Sequence, residues 1–107
     1  MKNIRLTEMA RVLRSKNSGP YELTLDIIFK DRESFELARR SGIFTEKFFA
    51  SLYSIKTDQV IGVIEFAPAN AIKATIVRPI VSGCAGDGDI YGAQQHAPLL
   101  SIEVPIR

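Results

Sequence analysis

The alternation of apolar and polar positions is sharpest over residues 22–29. Leu23, Leu25, Ile27 and Phe29 share one side of an extended chain, and Thr24, Asp26 and Ile28 share the other. This pattern predicts a strand with one buried face. Helical spacing lies on both sides of it. Met9, Val12 and Leu13 fall three and four apart behind Thr7, a residue type that caps helices, while Glu8, Arg11 and Arg14 point the other way. Residues 15–20 are expected to end that helix, because Gly19-Pro20 cannot continue it. After the strand, Asp31 is placed to cap a second helix with Phe35 and Ala38 inward and Gly42 as its stop. Thr45 begins a third over residues 46–55, with Phe48, Phe49, Leu52, Tyr53 and Ile55 at helical spacing. These aromatics read as core.

Three further strands are expected. Residues 60–66 are apolar on both faces, the pattern of an interior strand. Ala67-Pro68-Ala69-Asn70 has turn chemistry, after which Ile72, Ala74 and Ile76 alternate with Lys73, Thr75 and Val77. Near the end of the chain Leu100, Ile102, Val104 and Ile106 alternate with Ser101, Glu103 and Pro105. Pro105 cannot donate to a ladder, so this strand belongs at an edge or ends there. No repeat, low-complexity tract or linker divides residues 1–107. The expected fold is a single two-layer α+β domain: about four mainly antiparallel strands with about three helices on one face.

Composition narrows the class without giving a function. With 46% apolar and 24% charged residues among 107, the chain is neither a disordered polymer nor a membrane protein. A net charge of +2 gives no reason to expect nucleic acid as a partner. The first twenty residues are nevertheless clearly positive, with Lys2, Arg5, Arg11, Arg14 and Lys16 against Glu8. One cysteine, Cys84, excludes an internal disulfide and fits a reducing compartment. Nothing resembles a signal peptide or a membrane span, so a cytoplasmic location is expected.

Two segments carry more chemistry than a core requires. Residues 80–98 have neither helical nor strand period, and loops of that length are commonly functional. They contain Asp87, Asp89, Tyr91, Gln94, Gln95 and His96 among Gly83, Gly86, Gly88 and Gly92. This is either a binding loop or a glycine-rich loop folded on its own domain. His96 is the only histidine, so imidazole acid–base chemistry within the chain must use it. Asp87, Asp89 and His96 are metal-ligating residue types, but their spacing follows no established metal motif, and no metal is assigned to them. One cysteine and one histidine cannot build a closed zinc site, so no cofactor is expected to be needed for folding. The second segment is residues 14–20, where Lys16, Asn17 and Ser18 beside Gly19 can receive a phosphate or carboxylate, or can simply form a polar turn.

The run Ser15-Lys16-Asn17-Ser18-Gly19-Pro20, continued by Glu22-Leu23-Thr24-Leu25-Asp26-Ile27-Ile28-Phe29, resembles the start of the domain of unknown function family 4387. Gly86-Asp87-Gly88-Asp89-Ile90-Tyr91-Gly92-Ala93-Gln94-Gln95-His96-Ala97-Pro98-Leu99-Leu100 resembles that family's most distinctive stretch, and residues 71–79 resemble the part before it. The resemblance implies a protein that occurs alone at this length or joined to a larger domain like the acyclic terpene utilisation protein AtuA. It therefore implies a small subunit or accessory domain in carboxylic-acid or acyl-coenzyme A metabolism. It brings no assigned catalytic residue.

Three functions follow as expectations. The first is a small subunit that completes a carboxylate or acyl-coenzyme A site on an AtuA-like larger partner. The second is a self-sufficient lyase or hydratase using His96 and a carboxylate. The third is a structural assembly module, and a homo-oligomer is compatible with each. In the first, Lys16, Asn17, Ser18, Arg78, Tyr91, Gln94 and Gln95 bind ligand, and His96, Asp89 and Asp87 handle protons. The two segments are then expected to converge in space. A subunit should show its residues on an open rim, whereas a self-sufficient enzyme needs a concave pocket of its own.

Overall fold

The computed structural model describes residues 2–19, 21–77 and 97–106. The element order is β1 (Lys2–Arg5), α1 (Leu6–Met9), β2 (Ala10–Gly19), β3 (Glu22–Phe29), α2 (Arg32–Ser41), α3 (Glu46–Tyr53), β4 (Val60–Phe66), β5 (Ala71–Val77) and β6 (Glu103–Ile106). Four strands form an antiparallel sheet in the order β2-β3-β5-β4, and β1 pairs with β6 in a separate antiparallel ribbon. The α+β class and the antiparallel pairing are as the alternation predicts. Among the described residues no helix is long and apolar enough to cross a membrane.

One face of the larger sheet carries the core. Leu23, Leu25, Ile27 and Phe29 of β3 lie beside Ile72, Ala74 and Ile76 of β5, all of them buried. Phe35 and Ala38 of α2, and Phe49, Ala50 and Tyr53 of α3, close over them. Leu6, Met9, Leu99 and Val104 join the same cluster, so α1, the ribbon and the short turn at Ala97–Ser101 all lie on this side. The aromatics of α3 are core, as expected. Phe48 and Phe49 meet edge to face at 5.1 Å, and burial pushes the Tyr53 phenol above its ordinary range.

The two longer helices begin and end where local chemistry dictates. The Asp31 side chain accepts from the Ser34 amide at 2.8 Å, and Gly42 closes α2 in the left-handed conformation at φ 72°. Thr45 accepts from the Phe48 amide at the start of α3, and Ser54 ends it with φ 57°. The Ser34 amide holds the Asp31 carboxyl below its ordinary range, and the Arg39 guanidinium does the same for Glu36. Both acids therefore bind protons less readily folded than unfolded. Their stabilisation is present above the unfolded value and is lost as pH falls through the folded one. Chemical denaturation from about pH 7 to about pH 2 is expected to show that loss. Asp31→Asn keeps an acceptor that does not titrate, so its acid loss should be smaller. Identical acid profiles would remove Asp31 from this role.

Five expectations need correction: in place of about four strands in one sheet, the described residues form six strands in two sheets. The helix predicted behind Thr7 is one turn long, and residues 10–19 form β2, paired with β3 from Ala10↔Phe29 to Gly19↔Glu22. The apolar spacing at Met9, Val12 and Leu13 is helical, and pairing along the whole of β3 overrides it in favour of the strand. Residues 14–19 are thus part of the sheet, not a loop beside it. β4 is an edge strand, not the interior one that its two apolar faces predict, and β5 lies between it and β3. Finally, the C-terminal strand starts at Glu103 and is preceded by a tight turn. That turn buries Leu99 and leaves Leu100 exposed.

Candidate functional site

The other face of the larger sheet is not covered by any described helix. Register assigns its occupants. Arg14 of β2, Asp26 of β3, Lys73 of β5 and Ile64 of β4 form one row across all four strands. Lys16, Thr24, Thr75 and Gly62 form the next. Lys16 and Lys73 therefore flank β3 from opposite sides, two strand spacings apart, or about 10 Å across the sheet. Ser18 lies where the β2–β3 register shifts, and its hydroxyl meets that of Thr24 at 2.9 Å.

These side chains enclose a shallow cavity of about 260 Å³ lined by Lys16, Asn17, Ser18, Thr24, Asp26 and Lys73. Asp26 is the buried member. Its Oδ2 accepts from Arg14 Nε at 2.8 Å, while its Oδ1 is shielded from solvent and accepts no hydrogen bond among the described residues. A buried carboxylate oxygen of this kind calls for a donor, either a water or a ligand hydroxyl or amide. Around it stand three cations, Arg14, Lys16 and Lys73, so the cavity favours an anion. The Lys73 ammonium also lies 5.9 Å from the centre of the Phe66 ring. The arrangement can hold a small acid that also carries a hydrogen-bond donor.

Of the residues singled out from sequence, Lys16, Asn17 and Ser18 are brought together here. Arg78, Asp87, Asp89, Tyr91, Gln94, Gln95 and His96 lie outside the described residues. β5 ends at Val77 opposite Glu22, beside the β2–β3 turn and close in register to Ser18. The chain thus leaves the sheet toward that segment from the end that carries Lys16. Among the described residues, no group of three histidine, cysteine, aspartate or glutamate side chains is placed to hold a metal ion. Arg14, Asp26 and Lys73 were not anticipated as site residues. Asp26 and Lys73 read as ordinary outward strand positions and Arg14 as the polar side of a helix, and only the register across the strands aligns them.

A larger cavity of about 470 Å³ lies between β1, α1 and the start of α2. Its lysines Lys2 and Lys30 are balanced by Glu8, Asp31 and Glu33, and Asp31 already caps α2. Among the described residues, none of the candidate site residues named from the sequence lines it.

The fold and site define a small α+β protein in which the described residues cover one sheet face and leave the other, cation-rich face open. The profile of the family described as Domain of unknown function (DUF4387) matches residues 6–103, and the chain belongs to that family. No curated protein and no solved structure matches it.

Proposed function

We propose that this chain is a small subunit or accessory domain whose open sheet face receives a carboxylate or acyl-coenzyme A ligand, within a site completed by an AtuA-like larger partner. One observation carries the reading. The cationic cavity of about 260 Å³ is a shallow rim on a sheet face that no described helix covers, with Lys16 and Lys73 exposed on either side of it. Pockets that bury a whole small ligand usually span about 300–1,000 Å³ and are enclosed, so a second wall is needed. The resemblance nominates the protein that supplies it. In this reading Lys16 and Lys73 neutralise the acid, Asp26 Oδ1 takes a donor from the ligand, and Asp87, Asp89 and His96 handle protons.

The test is co-expression with an AtuA-like protein, co-purification, and titration of the complex with carboxylic acids and acyl thioesters. Lys16→Ala and Lys73→Ala should each weaken binding about 10-fold or more, the worth of one charge-assisted hydrogen bond. Both side chains are exposed, so melting temperature should hardly move. A complex that binds the acid equally well without either lysine would overturn the assignment, as would failure of the two proteins to associate.

A further inference from the structure

Among the described residues the larger sheet has two edges, and only one of them is guarded. β2 carries Arg11, Arg14 and Lys16 and has register breaks between Ala10 and Val12 and between Asn17 and Gly19. Charge and bulges of this kind discourage pairing with another strand. β4 has a single charged residue, Glu65, and exposes Ile61, Ile64 and Phe66 by 52%, 62% and 47%. Such an edge invites a further strand.

Gly62 points to what that strand is. It lies inside β4 opposite Thr75, its φ is outside the left-handed region, and a Cβ added there would meet nothing within 4 Å. Glycine weakens a strand interior, and neither the backbone nor the packing of this chain requires one here. Glycine inside a strand marks a bulge, as at the register shift between Val60 and Gly62, or close approach by another chain. Register puts the open space above it on the same face as Ile64 and Phe66.

We propose that β4 pairs antiparallel with β4 of a second copy about a two-fold axis at Ile64, joining two four-stranded sheets into one of eight. In that register Ile64 faces its own counterpart, and Phe66 of each copy lies over Gly62 of the other. The aromatic fills the space that the glycine leaves, so one strand supplies both the projection and the recess. Charge agrees with this axis. Glu65 falls opposite Val63, whereas an axis at Glu65 would oppose two carboxylates. An axis at Val63 would carry Phe66 onto the break between Val60 and Gly62, where the ladder is interrupted. The pairing shares its sheet face with the anion site: Lys73 of that site lies opposite Ile64 and 5.9 Å from the Phe66 ring.

Three exposed apolar side chains per copy give an interface below the roughly 1,200 Å² of strong complexes, so the dissociation constant should lie in the range of about 10–100 µM. Sedimentation equilibrium of the full chain from about 5 to 500 µM should show a reversible monomer–dimer equilibrium spanning that range. Ile64→Lys should leave monomer throughout. Gly62→Thr should weaken dimerisation at least ~10-fold while the monomer's melting temperature holds or rises, since the new side chain meets nothing of its own chain. With Cys84→Ser as background, Ile64→Cys should oxidise to a disulfide-linked dimer and Ile61→Cys should not, because directly opposed residues alone satisfy disulfide geometry. A chain that stays monomeric across the range would overturn the proposal. So would a dimer that Ile64→Lys leaves intact and Ile64→Cys fails to cross-link.

Discussion

Leu99→Ala is expected to destabilise the chain by about 2–5 kcal/mol, and Leu100→Ala by less than about 1 kcal/mol. Leu99 is completely buried among α1, β6 and the helices, while its neighbour is about half exposed. Truncating Leu99 removes apolar burial and leaves a cavity that packed surroundings cannot fully close. The tight turn at Ala97–Ser101 is what reverses the two residues' roles: Ile102 N bonds back to Leu99 O at 3.2 Å, and Leu6 N then bonds to Ile102 O at 2.9 Å. A loss of this size is a large part of the roughly 5–15 kcal/mol that holds a domain folded. Denaturant melts of the two variants decide the matter. Equal losses would mean that the strand begins earlier than Glu103.

The second large effect is asymmetric. Arg14→Ala should cost about 3 kcal/mol and Asp26→Ala about 1 kcal/mol, although the two remove the same ion pair. The Asp26 side chain is 11% exposed and that of Arg14 59% exposed. Without Arg14, a carboxylate remains in a place that water hardly reaches, and its Oδ1 already accepts no bond among the described residues. Without Asp26, the guanidinium simply stays hydrated. The double variant should then be more stable than Arg14→Ala alone, because the stranded charge has gone. Urea melts of the three variants measure this. Equal single costs would show that the pair is held by attraction alone and not by the burial of one partner.

Local signals made the helices legible. Asp31, Gly42 and Thr45 act on backbone groups within a turn of themselves, so their meaning does not depend on the rest of the fold. β3 and β5 were legible because strict alternation has one explanation when one face is buried. β2 was not. Its apolar spacing is helical, and its partner β3 overrides it through long-range pairing that no local window contains. β4 misled for a different reason. Its apolar residues imply burial on both sides, yet within one chain Ile61, Ile64 and Phe66 are exposed. The site divides in the same way. Lys16, Asn17 and Ser18 stood out by residue type beside a glycine, whereas Arg14, Asp26 and Lys73 became a set only when register placed them in one row.

The strand order also governs how the chain finds its fold. β2 and β3 meet across a two-residue turn, and β4 and β5 across the short turn at Ala67–Ala69 and Asn70. Two of the three ladders in the larger sheet thus close short loops, at little entropic cost. The third, between β3 and β5, joins Ile27 to Ile72 across both long helices. The largest loop-closure cost of this sheet therefore falls on that one seam. The same seam lies under Phe35 and Phe49, so the helices that lengthen the loop also supply the apolar surface that holds it shut.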